Sequence, residues 1–399
     1  MTPVRSPGGF PVVGVIGGGQ LARMLQPPAV ALGVQLSVLA ESTDASAALV
    51  IPSAPVGGHD DLDAVCRFAA ECDVVTFDHE HVPAEVLAAL EANGVVLQPS
   101  PAALVYAQDK LAMRRRLTEA GIPCPAWAAA YTIDEVVAFG DEHGWPIVAK
   151  TPRGGYDGKG VRVVDRATAP DELAEWLDLA VSHRDSGSGP LAGGVLLEVL
   201  VPFDRELAAL VARSPSGQAA AWPVVETVQT DGVCTDVVAP APELSAQTAA
   251  AATHAALRIA GELGVTGVLA VEMFQVGEQI LVNELAMRPH NSGHWSIDGS
   301  VTSQFEQHLR AVLDLPLGEP TAHAPWTVMA NVLGGDDDRL YPAYRHVMAR
   351  DSGVKVHMYG KGVRPGRKIG HVTVIGADLD DVRARARHAA DYLRGVIDE

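Results

Sequence analysis

Strand-like apolar runs at 12–16, 35–39 and 73–77 alternate with helical stretches near 20–32, 60–71 and 83–92. That alternation constrains the fold more than any other feature, because parallel strands need crossover connections. It predicts an open α/β domain with helices on both faces of a parallel sheet. The first strand runs into VVGVIGGGQLA, which places Gly17-x-Gly19-x-x-Ala22 at a helix start, and Glu41 ends the next strand. In that context the pattern reads either as a dinucleotide fingerprint or, more narrowly, as a helix N-terminus whose amides hold one phosphate. Pro27–Pro28 falls inside the first helical stretch. A helix-interior proline costs about 3 kcal/mol, so a kink or early stop is expected there.

PSPAAL (99–104) reads as a turn into a new helix, and a helix around Lys110–Leu117 ends before Gly121-Ile-Pro-Cys-Pro. A smaller α/β unit follows: strand 147–150, a glycine loop, strand 161–164 and helix 171–183, with flexible punctuation at 184–194. Strands resume at 195–199 and 207–212. An alanine-rich helix spans 245–263, and two adjacent strands cover 268–276 and 279–286. A helical stretch at 301–314, strands at 327–333 and 371–376, and a closing helix at 379–396 complete the chain.

With 399 residues, 48% of them hydrophobic, the chain can build two or three cores. Its net charge of −19 opposes nucleic acid and anionic membranes as partners. The four cysteines form no C-x-x-C pair, so neither a zinc site nor a disulfide framework is expected, and reduced thiols in the cytoplasm are the default. MTPVRSPGGF lacks the apolar stretch of a secretory signal, and no apolar run is long enough to span a bilayer.

Chemistry concentrates in five places. WPIVAKTPRGGYDGKG (145–160) ends an apolar run in Lys150. It continues through Arg153, Gly154, Gly155, Tyr156, Asp157, Gly158, Lys159 and Gly160. Glycine backbone can crowd N–H groups round an anion, and two flanking lysines point to polyphosphate; the alternative is a solvated hairpin. Glu272 and Glu284 lie on neighbouring strands, where two converging carboxylates can hold Mg²⁺ beside a phosphate. Register decides this. A two-residue turn at 277–278 would pair 272 with 283 and put Glu284 on the opposite face. Joint ligation therefore predicts a three-residue loop or an equivalent bulge. In EVLVPFDRE (198–206), a strand broken by proline can offer its backbone to a base edge, with Glu206 for the sugar hydroxyls; an ordinary strand end is the competing reading. Finally, RPHNSGHW (288–295) and YGKGVRPGRKIGH (359–371) are dense in donors. His290 and His294 are i,i+4, but with no helix evident zinc is disfavoured.

In this order the motifs resemble the ATP-grasp superfamily, and within it the N5-carboxyaminoimidazole ribonucleotide synthase family. The motifs that carry the likeness are GGGQLARM (17–24), DKLAMRR (109–115), IVAKTPRGGYDGKG (147–160), EVLVPFDRE (198–206), NELAMRPHNSGHW (283–295) and YGKGVRPGRKIGH (359–371). The resemblance implies a pre-ATP-grasp α/β domain (1–108), a small lid (109–192), an ATP-grasp core (193–320) and a C-terminal subdomain (321–399). It implies that ATP and Mg²⁺ drive carboxylation of 5-aminoimidazole ribonucleotide by bicarbonate, in a cytoplasmic homodimer that binds neither nucleic acid nor membrane.

By position, Lys110 and Lys150 would contact the ATP phosphates, and residues 154–160 would cover them. Glu198, Val199, Leu200 and Val201 would face adenine and Glu206 the ribose. Glu272 and Glu284 would hold Mg²⁺, with Asn283 beside them. Gly19, Gln20, Leu21, Glu80, Tyr156, Asp157, Arg288, His290, Asn291, Lys361 and Arg367 would line the ribonucleotide site. Tyr156, Asp157, Lys159 and Arg288 would serve the chemistry, and the 17–22 turn would become a phosphate cradle. Asp78, His81 and Gln229 depart from the residues common in the family, as does Ala22, where the family usually has Gly. Other ATP-grasp ligases, an NAD(P) oxidoreductase and a non-catalytic nucleotide-binding regulator are the competing classes. The oxidoreductase would leave the glycine loop and the acid pair without a role.

Overall fold

The structure is a computed structural model that describes residues 7–155, 160–186, 189–230, 232–336 and 338–397. Strand β1 (Val12–Ile16) lies between β2 (Gln35–Leu39) and β3 (Val74–Phe77), and all pairings are parallel, as expected. Every residue of β1 is buried, which is how a strand covered on both faces reads. Helices α2 (Leu62–Ala69) and α3 (Ala84–Ala92) pack Val65, Phe68 and Leu87 into one core with Ile16 and Phe77. On the other face α1 (Gln20–Leu32) sets Leu21, Leu25 and Ala29 against Val13 and Val15. The expected early stop at Pro27–Pro28 does not occur: α1 runs on to Leu32 and closes at Gly33, whose φ of 72° permits the left-handed cap. Burial of Leu25 before the prolines and Ala29 after them offsets the lost backbone hydrogen bonds.

Helix α4 (Pro101–Gln108) leads into α5 (Lys110–Glu119), which Asp109 caps by accepting from the Ala112 amide at 3.0 Å. The next sheet is antiparallel, in the order β4 (Trp127–Ala130), β7 (Val195–Val199), β5 (Ile147–Lys150), β6 (Val161–Val164). Helices α6 (Ile133–His143) and α7 (Ala169–Ser186) pack on it through Val136, Phe139, Leu173 and Leu177. The rest forms one large sheet from β8 (Arg205–Arg213), β9 (Ala219–Ala221), β10 (Val225–Thr230), β11 (Val233–Ala239), β12 (Gly267–Val276), β13 (Gln279–Ala286), β14 (Trp326–Leu333), β15 (Lys355–Met358) and β16 (Lys368–Gly376). Its order is β13-β12-β8-β10-β11-β14-β16-β15, with β9 on β8. Residues after 321 thus share a sheet with those before it. Helices α8 (Ala246–Glu262), α9 (Ser296–Gly299), α10 (Gln304–Val312), α11 (Ala343–Arg350) and α12 (Leu379–Leu393) complete the chain. Phe305 and Leu309 of α10 join the core under α1, which ties the first domain to the large sheet. Among the described residues, no helix is long and apolar enough to cross a membrane.

Candidate active site

Lys150 ends β5 and is buried; its ammonium lies 2.8 Å from Glu198 Oε2 on β7 and donates to Asn283 Oδ1 on β13 at 3.1 Å. Arg114 of α5, fully buried, donates from Nε to Glu198 Oε1 at 2.5 Å and from Nη2 to the Asn283 carbonyl at 2.7 Å. Burial alone would raise the Glu198 carboxyl, but Arg114 and Lys150 together hold it below its ordinary range. One network therefore locks α5, the four-stranded sheet and β13 together. Arg114 was not among the residues expected from sequence, although it stands four positions after Lys110 in DKLAMRR and so shares its helical face. Lys110 Nζ is 3.6 Å from Glu284 Oε1 and donates to the Gly154 carbonyl at 3.4 Å. Arg153 instead pairs with Asp109 at 2.9 Å. Gly154, Gly155 and Gly160 have φ of 70°, 80° and 75°, a region that favours glycine. Tyr156, Asp157, Gly158 and Lys159 lie outside the described residues.

The acid pair answers the register question. The turn has two residues, since Val276 pairs with Gln279, yet Glu272 pairs with Glu284. A bulge reconciles these facts: Met273 still pairs with Val282, and Asn283 is the extra residue. The bulge returns Glu284 to the face of Glu272, and Asn283 itself turns to Arg114 and Lys150. Glu206 pairs with Phe274 while Ala208 pairs with Glu272, so Glu206 is a diagonal neighbour of Glu272 on the same face. Gln229, the departure from the family pattern, hydrogen-bonds Glu206. Burial, then Glu284 and Glu206, push the Glu272 carboxyl up to about 7. His290 Nε2 lies 3.4 Å from Glu272, but burial and Arg288 push this imidazole down to about 3, so it stays neutral and does not relieve the crowding. Crowded, mutually repelling carboxylates are a hard-oxygen donor set of the kind Mg²⁺ takes, so Glu272 and Glu284 fit that ion.

This crowding has a measurable cost. The Glu272 carboxyl titrates near 4.5 when unperturbed and about 7 when folded. The penalty is absent below the first value, grows as pH rises from the first to the second, and is full above it. In metal-free protein, Glu272→Gln should therefore raise the thermal midpoint at pH 8 and leave it unchanged at pH 4, as calorimetry would read.

Among the residues expected to line the ribonucleotide site, Glu80 follows β3 and accepts from Arg288 Nε at 2.8 Å and from the Met287 amide at 3.3 Å. Burial opposes the Arg288 charge, but Glu80 more than compensates and raises its pKa. Gln108 fixes this segment by donating to the carbonyls of Glu80 and Val82. Gln304 holds His290 through its backbone amide at 2.8 Å. Both polar atoms of the Asn291 side chain are buried without a protein partner among the described residues. Lys361 donates to Gln20 Oε1 and so bridges the C-terminal segment to the first domain. Arg367 donates to the Gly362 carbonyl of its own exposed turn at 3.1 Å. Lys368, which the sequence reading places in a basic cluster without a site role, lies close enough for its charge to favour ionised Glu272 and neutral His290. Its signal was the basic run in GRKIGH.

The glycine turn corrects one expectation. Gly18 N–H donates to Glu41 Oε2 at 3.2 Å and Ala22 N–H to Asp78 Oδ1 at 2.7 Å. Asp78 seats against Gly19, where a Cβ would come within 2.0 Å of Oδ2. Carboxylates of the chain itself thus occupy two amides of the expected phosphate cradle, leaving Gly19, Gln20 and Leu21. Glu41 accepts from the Gly17–Gly19 turn rather than standing clear for a dinucleotide ribose. Val199 ends β7 and Leu200 and Val201 follow it toward Phe203, which stacks on Phe274 at 4.7 Å between centroids.

A parallel-sheet domain followed by two antiparallel sheets that close on a lysine–carboxylate network defines an ATP-grasp protein. Residues 115–305 match the ATP-grasp domain, 11–108 the ribonucleotide synthetase preATP-grasp domain, and 327–385 the phosphoribosylaminoimidazole carboxylase C-terminal domain. The chain is 53% identical over 392 residues to N5-carboxyaminoimidazole ribonucleotide synthase of Mycobacterium tuberculosis, covering 96% of this chain and 88% of that one. A crystal structure of an N5-carboxyaminoimidazole ribonucleotide synthetase with ADP superposes with a TM-score of 0.85 at 32% identity, covering 98% of each chain. The Aspergillus clavatus enzyme, in complex with ADP and 5-aminoimidazole ribonucleotide, gives 0.83 at 31% identity, covering 96% and 98%. The chain belongs to the N5-carboxyaminoimidazole ribonucleotide synthase family.

Proposed function

We propose that this chain uses ATP to carboxylate the amine of 5-aminoimidazole ribonucleotide with bicarbonate, giving N5-carboxyaminoimidazole ribonucleotide, ADP and phosphate for purine synthesis. The observation that carries the mechanism is the Asn283 bulge, which joins the acid pair to the Lys150 network. Bicarbonate is a poor electrophile. An oxygen of bicarbonate attacks the γ-phosphorus, the bond to ADP breaks, and carboxyphosphate forms. Cleavage of its C–O bond releases phosphate and leaves CO₂, which the amine attacks as it loses a proton.

Lys110 and Lys150 neutralise phosphate charge, and fixed charges of this kind act most strongly in a site without water. Glu272 and Glu284 would hold Mg²⁺, which supplies further neutralisation of the phosphates when bound. Glu198 to Val201 offer backbone to adenine, and Gln229 steers Glu206 toward the ribose. Arg288, held by Glu80, orients bicarbonate through paired hydrogen bonds. Gly19, Gln20, Leu21, His290, Asn291, Lys361 and Arg367 receive the ribonucleotide. By family resemblance Tyr156 and Asp157 face the amine, and Lys159 with Gly158 closes over ATP. The same resemblance is the ground for the division at 108, 192 and 320, for a homodimer and for a cytoplasmic location.

The test is phosphate release from ATP. Both 5-aminoimidazole ribonucleotide and bicarbonate should stimulate it; a rate indifferent to the ribonucleotide would refute this reading. Glu284→Gln should raise the Mg²⁺ concentration for half-maximal rate by about tenfold or more, by analogy with the loss of metal-site partners. An unchanged titration would remove Glu284 from the ligand set.

A further inference from the structure

A second group of ligand-type side chains gathers at the carboxyl rim of the parallel sheet. Glu41 follows β2, His79 follows β3, and His59 comes from the loop between β2 and α2. Loops that leave the carboxyl ends of parallel strands converge on one rim, which is where open α/β sheets bind ligands. One donor atom from each of the three residues lies within 4.8 Å of the others. His79 Nε2 is 3.8 Å from Glu41 Oε1, and the His59 ring meets the His79 ring edge-on with centroids 4.7 Å apart. His81 adds a third imidazole, stacked on His79 at 5.1 Å. Gly17 permits this approach, because a Cβ there would stand 2.9 Å from His79 Cδ2 and Nε2. Glu41 gives Oε2 to the Gly18 amide and presents Oε1 to His79, so its carboxylate is oriented from behind.

We propose that Glu41, His59 and His79 form a binding site for a transition-metal cation of the zinc class, distinct from the Glu272–Glu284 pair. Two imidazoles and one carboxylate match the nitrogen-and-oxygen ligand sets that zinc takes, whereas Mg²⁺ prefers oxygen alone. His79 Nδ1 accepts from the His81 amide at 3.2 Å, which puts the ring proton on Nε2. Ligation through Nε2 moves that proton to Nδ1 and gives up this long hydrogen bond. A bound cation would tie the ends of β2 and β3 beside the Gly17–Gly19 turn, next to Glu80. The three residues take no part in the carboxylation steps above.

The experiment uses the full chain, stripped with chelator and titrated calorimetrically with zinc chloride, alongside His59→Ala, Glu41→Gln and Glu272→Gln. The expected result is one tight zinc per chain, kept in Glu272→Gln and weakened about 100-fold or more in His59→Ala and Glu41→Gln, since loss of a direct ligand should cost at least what loss of a supporting partner costs. Unchanged phosphate release in His59→Ala would show that this variant is folded. Cobalt substitution gives a second readout on the unmodified chain, with visible bands that His59→Ala abolishes. Equal zinc affinity in His59→Ala and the parent, or loss of the zinc in Glu272→Gln, would overturn the assignment.

Discussion

Replacing Lys150 with alanine should lower ribonucleotide-stimulated phosphate release by about 10²–10³-fold, the range for removing one preorganised charge-stabilising donor from an active site. Lys150 is the buried cation whose partners, Glu198 and Asn283, come from the four-stranded sheet and the large sheet. Its position is fixed before nucleotide arrives, so its charge needs no reorganisation when the γ-phosphoryl moves. The variant should keep its fold, because Arg114 still compensates Glu198. Far-ultraviolet circular dichroism and stopped-time phosphate assays separate the two effects. Parent-like phosphate release in a folded Lys150→Ala protein would exclude the role given to this lysine.

Arg114→Leu should act in the opposite sense, mainly on stability. Its guanidinium is fully buried and joins Glu198 to the Asn283 carbonyl. Breaking a buried pair from one side typically costs about 3–5 kcal/mol. Lys150 remains to share Glu198, which places the expected loss near the lower end of that range. Glu198→Gln alone should also cost stability, and the double variant should cost less than the two single losses together, because both remove the same pair; urea denaturation of the single and double variants would measure this coupling. Additive effects would show that the two side chains do not depend on each other.

The parallel sheet and its helices were legible because burial on both faces leaves continuous apolar runs, as in Val12–Ile16. The acid pair was legible as a conditional: Glu272 and Glu284 could share a face only through an odd loop or a bulge, and the bulge is at Asn283. Other elements carried weaker signals. Trp127–Ala130 is strand β4 although three of its four residues are alanine, so pairing with β7 sets its conformation rather than intrinsic preference. Helix α6 carries a readable start in its Thr132–Glu135 capping box. In the site, Glu41 and Asp78 were hard to place because their bonds to Gly18 and Ala22 join loops far apart in sequence. Arg114 was hidden for the same reason, since its partners lie 84 and 169 positions away.

The central claim is that this site activates bicarbonate by phosphorylating it. Bicarbonate labelled with heavy oxygen, supplied with ATP and 5-aminoimidazole ribonucleotide, tests it directly by mass spectrometry of the released phosphate. The attacking bicarbonate oxygen stays on phosphorus when carboxyphosphate breaks down, so each turnover should deliver one labelled oxygen to phosphate. Phosphate released without label, while carboxylated product accumulates, would contradict the account.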